Sequence, residues 1–471
     1  MEIRKAIFIL TILLSSVSLF AQQKCNCEES FKWVKETFEK NDAGFEYAIQ
    51  QKGKAVYDKH NDTILAKIKK ATTKEKCAEI MHEWLLFFRK GHLSVSPINT
   101  KPTTDNANTN NSSQTLSILK KQIKEHLSNN YIASFEGIWT WRPGSDTICI
   151  IKENDGYTGM ASSNKAWRLK IKKDSSGRFY IGNYLLQNFD KAEFIGKNML
   201  KLGTTYLNRI YPKFQDNDTI AFYVNEITAT KPFIQKLSSK TVLFRIPTFN
   251  GTQKEVIDSV IAINNNLLKS TENLIIDIRD NGGGKDDSYD NIVPLLYTNP
   301  IRITNVEFLS TPLNNKVTED ELSEPNLSES DKNKLHEELR KLNDNPGKFV
   351  NLDSGRIVDI QKLDTVFPFP KNVAIIINQN NVSSAEQFLL AAKQSKKVKL
   401  YGVTTMGVLD ISNMYFVNSP NNQFKLGYCL SKSYRIPDMA IDGKGIMPDY
   451  YIDKSIPNTQ WLSFVQNILE N

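Results

Sequence analysis

Two segments in the second half of the chain carry residue types that could perform acyl-transfer chemistry. One is Leu274-Ile275-Ile276-Asp277-Ile278-Arg279-Asp280-Asn281-Gly282-Gly283-Gly284, an apolar run that ends in consecutive glycines. The other is Val373-Ala374-Ile375-Ile376-Ile377-Asn378-Gln379-Asn380-Asn381-Val382-Ser383-Ser384-Ala385-Glu386. Each reads as a buried strand running into a turn of small residues, and the second turn opens a helix with a hydroxyl at its start. A serine at a strand-to-helix turn can be presented as a nucleophile, with the helix N-terminus behind it favouring developing negative charge. A glycine turn lets backbone N–H groups approach a substrate with no Cβ in the way. Together they suggest acyl transfer, most simply hydrolysis of a peptide bond. Serine is also a preferred helix N-cap, so capping alone is the plain structural alternative.

The elements around these segments alternate. Residues 242–246, 274–278, 373–377 and 399–402 read as strands; residues 254–269, 288–296 and 384–395 read as helices. That alternation predicts a βαβ-rich sheet with right-handed crossovers. Residues 317–348 are dense in Glu, Lys and Asn, and Leu335, Leu339 and Leu342 make them a solvated helical insertion. Upstream, residues 132–232 carry short β-type runs separated by Gly and Asp turns. That rhythm belongs to an antiparallel barrel or sandwich, expected to pack on the catalytic part or shape its substrate. Residues 97–114 are rich in Asn, Thr and Ser and read as a linker, followed by a helix over 115–127. Residues 28–89 read as a small helical cap, with Phe31, Trp33, Val34 and Phe38 spaced along one face. The cap ends at Lys90-Gly91-His92-Leu93-Ser94-Val95, where Gly91 breaks the helix and a strand begins.

The chain has 471 residues and is 40% apolar, enough for more than one domain with real cores. Its net charge of +8 is modest, and no basic stripe is interleaved with aromatics, which argues against nucleic acid as a partner. Arg4 and Lys5 precede an apolar run over 6–20, and Ala21 is the expected cleavage point of a secretory signal peptide. A membrane anchor is the alternative, but the run is short for a span and lacks a basic stop-transfer flank. The expected location is therefore periplasmic or extracellular, with no membrane span once the signal is removed. Export permits disulfides. The cysteines are Cys25, Cys27, Cys77, Cys149 and Cys429, and one of the first two is expected to bridge to Cys77. Cys149 and Cys429 lie in strand-like apolar runs and read as buried small hydrophobes. Cys-x-Cys has no matching His or Cys pair, so neither metal nor cofactor is expected. The expected organisation is a signal peptide over 1–21, a cap over 22–96, the linker over 97–114, a helix plus β-rich module over 115–232, and an α/β catalytic domain over 233–471.

Four pieces in order resemble the S41 family of serine peptidases, the tail-specific and tricorn-core type. They are Ile276-Asp277-Ile278-Arg279-Asp280-Asn281-Gly282-Gly283-Gly284, Asn380-Asn381-Val382-Ser383-Ser384-Ala385-Glu386, Tyr401-Gly402-Val403-Thr404-Thr405-Met406-Gly407 and Asp442-Gly443-Lys444-Gly445-Ile446-Met447-Pro448-Asp449. The resemblance covers about residues 240–455 and implies a ClpP/crotonase-like α/β core. It implies Ser383, three before Glu386, as nucleophile, with Ser384 as the competitor. Many relatives place a lysine base where this chain has Val408; Lys393, Lys396 and Lys397 read instead as a solvated face. The tricorn-like branch uses a histidine from the N-terminal part and an acidic residue near the C-terminal Gly-x-x-Pro-Asp. Here that implies a Ser383–His92–Asp442 triad, with His92 as base and then acid and Asp442 orienting its ring. Glu386 and Asp410 are the rival carboxylates, while His60, His82, His126 and His336 sit in polar helical stretches without a motif. The oxyanion hole would be the N–H of Ser384 with that of Gly283, Gly282 or Gly284 close behind; Asp277 and Arg279 would brace the loops by ion pairing. A PDZ module, frequent in the family, is missing, and the β-rich segment stands in its place. The implied partner is a peptide or protein substrate. A catalytically silent peptide- or lipid-binding protein on the same fold is the competing expectation, which Val408 favours and Ser383 with His92 opposes.

Overall fold

The computed structural model describes residues 26–98, 135–140, 147–153, 156–161, 168–173, 179–183, 186–202, 205–325 and 327–471, together with residues 121 and 125. The expected signal peptide, Cys25, most of the expected linker and almost all of the expected helix over 115–127 lie outside these residues.

The cap is built from α1 (Cys27–Asn41), α2 (Phe45–Lys52), α3 (Lys54–Ile68) and α4 (Lys74–Leu85). Asn26 caps α1 by accepting from the Glu29 N–H, and Phe31, Val34 and Phe38 form its buried face. Trp84 of α4 meets Phe31 and Phe38 edge-on, with centroids 5.7 and 5.5 Å apart. A Cys27–Cys77 disulfide ties α1 to α4, so Cys27 is the partner of Cys77. Strand β1 (Ser94–Pro97) then leaves the cap.

Strands β2 (Gly137–Thr140), β3 (Thr147–Glu153), β4 (Gly156–Ala161), β5 (Arg168–Lys173), β6 (Phe179–Asn183), β7 (Leu186–Ile195), β8 (Met199–Leu202) and β9 (Thr205–Tyr211) close into an antiparallel barrel. Its interior holds Trp139, Ile148, Ile150, Ile171, Leu200 and Leu207. The β-rich module is thus a closed barrel, which leaves no sheet edge unpaired. Within the stretch expected to be β-rich, Asp218–Ile227 is a helix, capped by Asn217.

The α/β part begins with β10 (Phe233–Lys236), β11 (Thr241–Arg245) and β12 (Asn273–Asp277). It continues through β13 (Ile301–Thr304), β14 (Val306–Leu309), β15 (Phe349–Val350), β16 (Val358–Gln361), β17 (Asn372–Ile377), β18 (Val398–Gly402), β19 (Ile411–Asn418), β20 (Phe424–Ser433) and β21 (Tyr450–Tyr451). One sheet has the order β10-β11-β12-β17-β18-β21 and is parallel from β11 onward. Phe244, Ile276, Ile375 and Leu400 stand side by side in register and face the helices Lys254–Ile263 and Ser384–Ala392. Leu243, Ile275, Ile376 and Tyr401 turn the other way, onto helix Trp461–Glu470. A strand buried on both faces must be apolar throughout, which is why these segments read as continuous runs. Each such Ile, Leu or Phe contributes roughly 1.5–3 kcal/mol by its burial.

A second, antiparallel sheet has the order β1-β20-β14-β15, with β19 also paired to β20. The cap shares one core with it: Phe38, Trp84 and Leu93 pack with Phe424, Leu426 and Tyr428. The helix expected over 254–269 breaks at Asn264, whose side chain bonds back to the Val260 carbonyl at 2.9 Å. The helix expected over 288–296 shrinks to Val293–Leu296, because Pro294 suits only the first turn. The insertion is a pair of helices, Lys316–Leu322 and Glu329–Asn343, with mostly exposed side chains. Among the described residues no helix is long and apolar enough to cross a membrane.

Candidate active site

Because β12, β17 and β18 run parallel, the loops that follow them leave the sheet at one edge, where sites in such sheets gather. The loop after β17 carries Ser383 at the start of helix Ser384–Ala392, at φ 57° and ψ −128°. That is a rare, strained conformation for a residue with a side chain. The Ser383 side chain makes no capping bond, so the plain capping role is not the one it plays. Its N–H is fixed to the Val408 carbonyl at 2.9 Å. Ser384, the competitor, is buried and donates its hydroxyl to the Gly284 carbonyl at 3.0 Å.

The glycine turn lies against this serine. A Cβ on Gly283, at φ 83°, would stand 2.7 Å from the Val382 carbonyl oxygen and 2.9 Å from both Ser383 Cβ and Ser384 N. Only glycine permits that approach. The expected donor, the Gly283 N–H, is however bound to Asn281 Oδ1 at 2.9 Å. The Gly283 carbonyl accepts from Phe249 N at 3.1 Å and Thr248 Oγ1 at 3.3 Å. In a trans peptide the N–H points opposite to the carbonyl, so the Gly284 N–H is directed away from Phe249. Asn381 holds the two loops together, donating to the Ile278 and Asn281 carbonyls at 2.5 and 3.2 Å.

His92 sits half-buried at φ 55°, in the turn between α4 and β1. Its Nδ1 lies 2.8 Å from the Ile411 carbonyl. A carbonyl can only accept, so Nδ1 carries the proton and Nε2 presents a lone pair. Burial, reinforced by Arg89, pushes the imidazole below its ordinary pKa against the opposing Ile411 bond, which keeps it neutral and basic at pH 7. The His92 turn and Ser383 meet the same strip of chain. A Cβ on Gly91 would touch Val408 Cγ1 at 2.8 Å, and Val408 is the residue that holds the Ser383 N–H.

The three candidate carboxylates are all engaged by other groups. Asp442 accepts from the N–H groups of Leu409 at 2.6 Å, Asp410 at 2.7 Å and Ile411 at 3.3 Å. Its expected contact with the imidazole is not made; the Ile411 carbonyl takes that place, and Asp442 holds the strand that supplies it. Asp410 binds Arg435 Nε at 2.7 Å and the N–H groups of Ile441 and Asp442 at 2.6 and 2.8 Å. Glu386 accepts from Thr405 Oγ1 at 2.5 Å and from the N–H groups of Gly407 and Val408, each at 2.8 Å. Burial raises the pKa of Glu386, and burial with the Asp410 charge raises that of Asp442.

Lys393 and Lys396 are exposed, and Lys397 lies beside the amino end of β17, where its carbonyl binds the Val373 N–H. Asp277 and Arg279 brace the glycine loop as expected: Arg279 forks onto Asp277 at 2.5–3.1 Å and reaches Glu226 at 3.0 Å. The barrel joins the same loop through Tyr206, which donates to Asp280 at 2.7 Å. A cleft of about 380 Å³ lies there, lined by Tyr206, Tyr223, Arg279, Asp280, Asn378 and Trp461. Sequence reasoning missed Ile411, because a carbonyl leaves no mark in residue type, and the tying role of Asn281 and Asn381. The doubled Asn-Asn before the serine and the Asn before the glycines were their only signals.

A parallel α/β sheet with a strained serine beside a glycine turn is an arrangement that serine-type hydrolases use. Residues 240–452 match the model of peptidase family S41, and this part of the chain is a serine-type peptidase domain of that family. Among solved structures the chain is similar to mature CPAF, with 11% identity over 94% of this chain and 96% of that one and a TM-score of 0.48. It is similar to the photosystem II D1 C-terminal processing protease, with 12% identity over 95% and 98% and a TM-score of 0.40. It is also similar to a lipoprotein from Streptococcus agalactiae, with 12% identity over 99% of each chain and a TM-score of 0.38. No curated protein matches it.

Proposed function

We propose that this chain is an exported serine endopeptidase that hydrolyses peptide bonds in peptides or unfolded proteins. The observation that carries the reading is Ser383 itself: strained, without a capping bond, and set against the glycine turn. Ser383 Oγ attacks the scissile carbonyl carbon and passes its proton to His92 Nε2. The oxyanion that forms is met by the N–H of Ser384 and that of Gly284. His92 then gives the proton to the leaving amine, and water resolves the acyl-serine ester by the same steps in reverse. Export is supported by the Arg4-Lys5 start with its apolar run and by the Cys27–Cys77 disulfide, which belongs to an oxidising compartment. Val408, which favours a silent binding protein, fills the space beside Gly91 and is compatible with a histidine base.

The test is labelling of the mature protein by a fluorophosphonate probe, with Ser383→Ala and His92→Ala alongside. Labelling of wild type alone is expected. Folded wild-type protein that does not label would overturn the peptidase reading in favour of binding.

A further inference from the structure

We propose that the buried Arg89–Asp42 pair is positioning machinery for the His92 base, an inference that rests on the reading of His92 given above. The guanidinium forks onto the carboxylate, Nη1 to Oδ1 at 2.7 Å and Nη2 to Oδ2 at 2.6 Å. Nη2 has a second partner, the main-chain carbonyl of His92 at 2.9 Å. Asp42 follows the C-terminus of α1 and accepts in turn from the N–H of Cys429 at 3.0 Å and of Gly44 at 2.9 Å. The Cys429 thiol lies 3.4 Å from the His92 carbonyl and 3.5 Å from the Ile411 carbonyl. That second carbonyl is the one that binds His92 Nδ1. The network therefore closes on the base from both ends, its backbone and its ring.

Stability alone does not account for such a pair. A buried ion pair is often no more stabilising than apolar residues of the same volume. This one directs a donor at a residue held at φ 55°, a conformation that needs outside support. The space around it is also reserved. A Cβ on Gly44 would lie 2.9 Å from Arg89 Nη1 and 3.0 Å from Ile411 Cγ2. Glycine at 44 is what lets the guanidinium and the Ile411 strand come together.

The charged and titratable groups around His92 come from several elements. They are Arg89 in its own turn, Asp42 after α1, Cys429 on β20, and Asp410 and Asp442 on the loops behind Ile411. Arg89 opposes protonation of the ring, and Asp42 offsets Arg89. Removing one partner or the other should thus move the base in opposite directions, which a general loss of packing would not do.

The experiment measures second-order fluorophosphonate labelling against pH, and kcat and KM on fluorescein-labelled casein. The proteins are wild type, Arg89→Lys, Arg89→Met, Asp42→Asn, Cys429→Ala and His92→Ala. Arg89→Lys keeps the charge but loses the fork, so kcat should fall by about 10- to 100-fold with KM within about twofold. Arg89→Met should move the acid limb of the labelling profile to higher pH, and Asp42→Asn should move it lower. Cys429→Ala carries no charge change and should fold even if the ion-pair variants do not; a severalfold fall in kcat with an unmoved limb is expected. Folded Arg89 and Asp42 variants with wild-type limbs and kcat would overturn the proposal while His92→Ala stays inactive; should those variants fail to fold, wild-type kcat in Cys429→Ala would overturn it. An active His92→Ala would instead sink the reading on which the proposal rests.

Discussion

Replacing Asp442 by Asn separates two accounts of the base. If Asp442 orients the imidazole directly, its loss should resemble removal of the carboxylate from a serine-protease triad, on the order of 10⁴-fold in kcat. The structure predicts far less. Oδ1 accepts the short bonds from Leu409 and Asp410, at 2.6 and 2.7 Å, and an amide oxygen can keep both. Only the 3.3 Å bond from Ile411 must be given up, since an amide N–H₂ facing an N–H cannot replace it. A typical hydrogen bond contributes about 1 kcal/mol net, and the retained bonds weaken because the acceptor is no longer charged. The loss is offset in part because the variant no longer buries a charge beside Asp410, the combination that raises the Asp442 pKa. The net effect should be about 1–2 kcal/mol, roughly tenfold in rate if all of it reaches the transition state. The linkage sign agrees: a carboxyl whose folded pKa is raised loses stability as pH rises from its unfolded pKa through the folded one, and Asn removes that slope. The assay is labelling rate and casein turnover at pH 7, with thermal midpoints against pH. A loss near 10⁴-fold in a variant with an unchanged midpoint would refute the claim that the Ile411 carbonyl holds the ring.

Gly283→Ala should fold but lose about 10²- to 10³-fold in labelling rate, because its Cβ drives the glycine turn from Ser383 and Ser384; wild-type labelling would exclude the turn from the oxyanion site. Gly91→Ala should lower turnover about tenfold by pressing on Val408, and Val408→Ala in the same chain should restore much of it; a double variant no better than the single would count against steric coupling of the two segments. The acid limb of kcat/KM should fall below pH 6.5, because burial and then Arg89 disfavour the imidazolium against the opposing Ile411 bond and the neutral base persists into mild acid; a limb above that value would contradict the environment of His92.

The apolar runs that became β11, β12 and β17 were legible because both faces of the sheet are covered, and β18 keeps the pattern around one exposed Lys399. The turns with Ser383 and the glycines were legible for a related reason: small residues after a buried strand are costly unless the backbone needs them. The hairpin that β19 makes with β20 was not, although the run around Cys429 in β20 reads as strand-like. Its outer strand β19 buries only Ile411, is otherwise half-buried or exposed, and mixes Asn and Ser with Phe and Tyr, so it reads as loop until its pairing with β20 is known. The acceptor for His92 was hidden for the same reason, since Ile411 opens that hairpin. Motif order pointed to Asp442, which lies near the site but bonds one step behind the ring.

Ser383 and His92 are separated by nearly three hundred residues, yet each is held by the strip over 408–411, one at the Val408 carbonyl and the other at the Ile411 carbonyl. The strip cannot make sheet bonds along its whole length, and an unpaired run of buried N–H groups would cost several kcal/mol. Glu386 answers Gly407 and Val408, and Asp442 answers Leu409, Asp410 and Ile411. On the proposed mechanism the carboxylates therefore act on the geometry of Ser383 and His92 through the strip, without bonding to either ring or hydroxyl. A base aligned by a main-chain carbonyl has no carboxylate of its own to titrate at Nδ1, so its charge state follows burial, the opposing Ile411 bond and Arg89. On the proposed mechanism, control of the base then lies in the cap, and the packing of α1 against β20 is part of the catalytic geometry.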